Sequence, residues 1–222
     1  MVFIARRTAP PQVTEADPGF TPLNRRQVLF ADWTPTNSAP HTENVEIYSN
    51  AQQVELFLNG KSLGTKPINA DASPRKWSVA FVPGTLKAVA KSAGREVAAH
   101  ELHTAGKPAR IALTADRTKL PADWDSIAYV TATVVDNEGV VVPSANNLIT
   151  FKIQGPGKIA AVDSADNASH ESFQATERHT YQGRCVAILK ATAPTGRITL
   201  EATAPGLAGG STTIQTVASE SR

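Results

Sequence analysis

The chain has a single cysteine, Cys185, so an intrachain disulfide is excluded. That cysteine sits in an apolar run, Cys185-Val186-Ala187-Ile188-Leu189, which suits a small core hydrophobe better than a reactive thiol. No run of about 20 apolar residues exists to cross a membrane as a helix. Charge of one sign is also lacking. The 22 basic and 20 acidic side chains leave a net charge of +2, spread without blocks. Nothing electrostatic therefore points to nucleic acid or to a membrane surface as partner. The opening MVFIARR has too short an apolar piece, with its arginines on the wrong side, for a signal peptide, and any export signal is expected upstream. A helical period of 3.6 nowhere persists for three turns, which leaves an all-β fold.

What is present is period-two alternation. Val45-Ile47 and Val54-Leu56-Leu58 alternate with polar residues, and Asn59-Gly60 then precedes a short return, Lys61-Ser62-Leu63. Asn-Gly between alternating runs predicts a type I′ hairpin, because both residues tolerate positive φ. Further strands are expected at Trp77–Phe81, Leu86–Ala90 and Val97–Leu102, with Pro83-Gly84 and Gly94 turning the chain between them. Residues 43–105 thus read as one β-sandwich with Trp77 as core anchor. Gly106-Lys107-Pro108 is a hinge, and residues 106–222 read as a second sandwich. Its expected strands include Ile127–Val135, Ile149–Ile153, Lys158–Val162, Arg184–Ala191, Ile198–Ala204 and Thr212–Val217. Residues 1–42 look different. Pro10, Pro11, Pro18 and Pro22 predict an extended linker, with Val28-Leu29-Phe30 as a short strand.

Few residues carry a chemical signature. Gly60-Lys61-Ser62 lacks the earlier glycine and the following helix of a phosphate loop. No Gly-x-Ser-x-Gly elbow occurs. Glu46, Glu55, Asp136 and Glu201 fall on strand faces and turns, and alternation places Glu46 and Glu55 in solvent. A carboxylate in water is ionised at neutral pH and makes a poor general acid. The most polar loop, Asp163–Glu171, offers Asp163, Asp166 and Asn167 as oxygens, without the spacing of an EF-hand. His170 and Glu171 can form a hydrogen-bonded loop clamp there, and a structural loop is the reading preferred over a metal or sugar site. Trp124, in the polar loop Pro121–Asp125, is the best candidate for an exposed aromatic platform. No catalytic, metal-binding or cofactor-binding residue is assigned.

Several stretches resemble a known family. VEIYSN…VELFLNGKSLG resembles the immunoglobulin-like domain that follows the catalytic barrel in bacterial family 2 glycoside hydrolases, especially β-galactosidase-like ones. Val28–Gly64, Pro83–Pro108 and Leu113–Leu189 carry most of the likeness. Residues 127–143 are similar to bacterial immunoglobulin-like modules, and Ser169-His170-Glu171 with Phe173 match a family feature. MVFIARR resembles the last piece of the barrel, and the Asp32-Trp33-Thr34-Pro35 segment resembles the connection from barrel to tail. The resemblance implies two tandem immunoglobulin-like sandwiches acting as non-catalytic accessory domains. The parent would hydrolyse terminal β-glycosides with retention, in the periplasm or outside a bacterium. The motifs that hold the catalytic glutamates have no counterpart in this sequence. The implied partner is the barrel, with Trp33 as an interdomain wedge and His170-Glu171 as a second contact. A homo-oligomer and a carbohydrate ligand are the other partners left open, the latter as a polysaccharide-binding module.

Overall fold

The computed structural model describes residues 1–8, 28–37 and 39–219, and among them no helix occurs. The chain divides into two compact units, Met1–Thr104 and Ala105–Arg222. Each is a two-sheet sandwich.

In the first unit, β1 (Val2–Thr8), β2 (Val28–Phe30), β3 (Thr42–Ser49) and β6 (Arg75–Ala80) form one antiparallel sheet in the order β2-β1-β3-β6. The other sheet runs β5-β4-β7-β8, from β4 (Gln53–Leu58), β5 (Lys61–Pro67), β7 (Thr85–Ser92) and β8 (Arg95–His103). Alternation decides which side chains enter. Val45, Ile47, Val54, Leu56, Val79, Leu86 and Ala88 are buried between the sheets. The Asn-Gly turn forms as expected: Asn59 has φ 49° and Gly60 φ 80°. Asn59 also ties the neighbouring turn, accepting from Thr85 N at 2.8 Å and donating to Pro83 O at 3.0 Å. A Cβ on Gly84 would lie 1.9 Å from Asn59 Oδ1, so that turn has room only for glycine.

The opening strand departs from the expectation of a barrel end followed by linker. Val2–Thr8 is an inner strand of the first sandwich, pairing with β3 so that Ile4 faces Ile47 across the ladder. Val2 and Ile4 are buried while Phe3 is 41% exposed, the same period-two pattern as the rest. The sequence hid this because the partner strand lies some 40 positions on. The proline-rich expectation for the stretch between falls on residues 9–27, outside the described residues. Val28–Phe30 is a strand, paired with β1.

Trp33 is also corrected. It is not a wedge between domains but a fully buried member of the first unit's core, 5.3 Å from the Phe81 ring. Its Nε1 donates to Val82 O at 3.1 Å, which satisfies the indole where water cannot reach.

The second unit packs β9 (Arg110–Ala115), β11 (Ala128–Val135), β13 (Gly157–Asp163) and β15 (Arg184–Ala191) in the order β13-β15-β11-β9. The facing sheet runs β10-β17-β16-β12-β14, from β10 (Lys119–Pro121), β12 (Leu148–Gln154), β14 (Glu177–His179), β16 (Gly196–Thr203) and β17 (Gly210–Val217). The β10–β17 pair is parallel. Val130, Ala132, Val134, Ile149, Phe151, Leu189, Ile198, Leu200 and Ile214 fill the interior. Cys185 lies among them, and burial pushes its thiol up to about 12, so it is inert at neutral pH.

If β1 is integral to the first sandwich, Ile4→Ala should cost about 2–5 kcal/mol, the usual cost of a cavity at a buried isoleucine. Urea unfolding checks this. An unchanged midpoint would mean that Val2–Thr8 does not belong to the folded unit.

Candidate functional site

Several carboxylates of the first unit are paired with bases. Arg6, 7% exposed, reaches Asp32 Oδ1 through Nε at 3.1 Å and Nη2 at 2.9 Å, and lies 3.5 Å from Glu43. Glu43 in turn meets His41 Nε2 at 2.7 Å. Glu46 is not in solvent as alternation suggested. It is 5% exposed, covered by Arg7 at 3.2 Å, Lys76 at 3.9 Å and the Tyr48 hydroxyl at 2.7 Å. The outer face of a sheet becomes dry where long side chains fold over it. Glu55 accepts from Lys91 and Ser62, both at 2.7 Å, which holds it below the usual carboxylate range.

In the second unit Asp136, 4% exposed, accepts from the backbone N–H groups of Gly106, Glu138 and Val140 at 2.7–3.0 Å. Burial pushes its carboxyl up, and those N–H groups outweigh it, leaving the group lowered. It pins the start of the second sandwich to the β11 turn.

The polar loop after β13 is organised by a residue the sequence did not single out. Arg178, 1% exposed, sends Nε to Ser164 Oγ at 3.2 Å, Nη1 to the Glu171 carbonyl at 3.0 Å and Nη2 to Asp163 Oδ1 at 3.3 Å. Its guanidinium also stacks 5.2 Å from the Phe173 ring. Glu171 closes the clamp from outside, accepting from His179 Nδ1 at 2.8 Å and Ser169 Oγ at 3.1 Å. The histidine of the clamp is therefore His179, on β14, and not His170, whose side chain is exposed. Asp163 Oδ1, expected as an ion ligand, accepts from Ser164 N, Ala165 N and Arg178. Among the described residues no group of three or more His, Cys, Asp or Glu is placed to hold a metal ion.

Trp124 is 85% exposed beside an open groove of about 710 Å³, lined also by Arg117, Asp123, Asp125, Ser126 and Val217. Asp123 accepts from Ser126 N at 2.6 Å and Ser126 Oγ at 2.9 Å, and these bonds hold its carboxyl below the usual range. Lys190 donates to the Trp124 carbonyl. Asp123 and Asp125 share the groove, yet they stand two residues apart on one loop. Glycoside hydrolysis needs its carboxylates on opposite flanks of the bond, about 5 Å apart or more.

Comparison with known proteins places these sandwiches. Residues 111–213 match the model of glycoside hydrolase family 2 C-terminal domain 5, and residues 41–98 match a domain of unknown function. The β-galactosidase BoGH2A of Bacteroides ovatus is 42% identical over 160 residues, 72% of this chain but 19% of that protein. The chain belongs to glycoside hydrolase family 2, in its C-terminal accessory region. A family 2 member from Bacteroides cellulosilyticus superposes with a TM-score of 0.84 at 33% identity, over 97% of this chain and 28% of that one. A β-glycosidase from Bacteroides vulgatus superposes at 0.80 with 27% identity, over 84% and 24%. The family 2 tail thus spans 19–28% of the length of these three relatives.

In this family 2 tail the Arg178 clamp predicts its own pH dependence. Burial pushes the Glu171 carboxyl up, but bonds from His179 and Ser169 outweigh it, so the folded chain holds the proton less tightly than the unfolded one. Stabilisation from Glu171 is then complete above the unfolded value of about 4.3 and lost as pH falls through the lower folded value. Glu171→Gln should lower the unfolding midpoint at neutral pH, with the difference vanishing in acid. Arg178→Ala, which strips Ser164 and two acids of their donor, should cost about 3 kcal/mol. Denaturant titrations across pH check both. A Glu171→Gln deficit that persists unchanged in acid would remove the clamp.

Proposed function

We propose that the chain is the accessory tail of a β-galactosidase-like enzyme that hydrolyses terminal β-linked galactosides by double displacement. One observation carries this reading: 42% identity to a β-galactosidase across 72% of the chain. The geometry supports the division of labour. Asp32, Glu46, Glu55 and Asp136 are spent on arginines, lysines or backbone N–H groups, and the groove beside Trp124 has its two acids on one loop. Glu55, Asp123, Asp136 and Glu171 are held below the usual carboxylate range, the opposite of the raised proton affinity that a general acid needs. The tail then serves the catalytic barrel as a rigid support, its strands tied by paired ladders and its loops by buried guanidinium groups.

Two assays test this. The purified chain should leave a chromogenic β-galactoside intact, and turnover abolished by one carboxylate substitution in this chain would overturn the accessory role. Expressed together with the coding sequence immediately upstream, it should release galactose first as the β-anomer, visible by proton NMR. Activity confined to β-glucuronides would contradict the sugar assigned, and the α-anomer would contradict retention.

A further inference from the structure

We infer that the Trp124 groove is a non-catalytic binding site for a neutral β-linked saccharide, of the class the proposed parent would cleave. The sugar class rests on that proposed function, while the site itself rests on three observations.

The first is the indole. Trp124 is 85% exposed, whereas the other tryptophans, Trp33 and Trp77, are 0% and 7% exposed. Beside a groove, such an indole offers a flat apolar face, and covering it would recover hydration free energy. The second is that the ring is presented and not merely loose. Its loop is capped from inside by Asp123 on Ser126 and gripped through the Trp124 carbonyl by Lys190, which leaves the side chain outside a braced backbone. Such bracing lowers the ordering cost of binding.

The third is the chemistry of the walls. Asp123, Asp125, Ser126 and Arg117 line the groove beside the indole. Asp123 stays ionised at neutral pH and so remains an acceptor. Two carboxylates against one guanidinium leave the lining with a net negative charge, which disfavours a phosphate and hence nucleic acid or anionic lipid. A stable protein interface needs roughly 1,000 Å² or more with several apolar anchors, and these walls are mostly polar. A pyranose fits. Its axial C–H groups form one apolar patch that packs on an aromatic face, and its hydroxyls donate to carboxylates and accept from a guanidinium. Trp124 would supply the platform, Asp125 and Asp123 the acceptors, and Arg117 the donor.

The test is a titration of the whole chain with galacto-oligosaccharides and soluble β-galactan, followed by tryptophan fluorescence and by retardation in galactan gels. Trp124 is the one tryptophan of the three open to solvent, so saturable binding should blue-shift the emission. Trp124→Ala should weaken binding about tenfold or more and leave the melting temperature unchanged, since the ring packs on nothing. Asp125→Asn should weaken it less. Equal retardation of the parent chain and Trp124→Ala, or no saccharide binding at all, would overturn the site. Concentration-dependent self-association that Trp124→Ala abolishes would also overturn it, by making a second copy the occupant. None of these readouts depends on hydrolysis, so a failure here is separable from a failure of the assigned parent activity.

Discussion

A strand gives one face to the core and one to water, and a pair of sheets has no third place to put a side chain. That constraint runs through both units. Val45, Ile47, Val54 and Leu56 in one, and Val130, Ala132, Ile198 and Leu200 in the other, are buried in the apolar clusters between the sheets. Groups with chemistry are pushed to sandwich ends, outer faces and loops, where each must find a partner or remain in solvent.

The partners found there are mostly arginines and lysines. Arg6 joins Asp32 and Glu43 at one end of the first sandwich, and Arg178 gathers Ser164, Asp163 and Glu171 in the second. Planar guanidinium groups suit this work, since one side chain satisfies several acceptors in fixed directions. The consequence for function is direct. An acid held by a guanidinium is neutralised and immobile, which favours a frame over a reaction centre. Trp124 stands apart because it is left 85% exposed.

Much of the fold was legible because alternation and turn chemistry are local. The Asn59-Gly60 hairpin, the Arg75–Ala80 strand and the long Ala128–Val135 strand follow from residues within a few positions of one another. Strand β1 was not legible, since Val2-Phe3-Ile4-Ala5 acquires meaning only beside a strand distant in sequence. The same limit hid Trp33 in the core, where its neighbour Phe81 lies far along the chain. For the site, the exposure of Trp124 could be read from its polar loop. Glu46 could not, because its cover comes from Arg7 and Lys76 on neighbouring strands. Arg178 gave no local signal either. A lone arginine in a polar stretch looks the same whether it faces water or a ring of acceptors, and only the path of the loop decides. The clamp was foreseen with His170, but strand pairing brings His179 to Glu171 instead.

The central claim is that the sugar-cleaving carboxylates lie outside these sandwiches. A protein that joins this chain to the catalytic region proposed for its parent, trapped with a 2-deoxy-2-fluoro β-galactoside and digested for mass spectrometry, tests it most directly. The account predicts the glycosyl adduct on a glutamate in a peptide from outside the 222 residues. An adduct on any acidic side chain of this chain would contradict it.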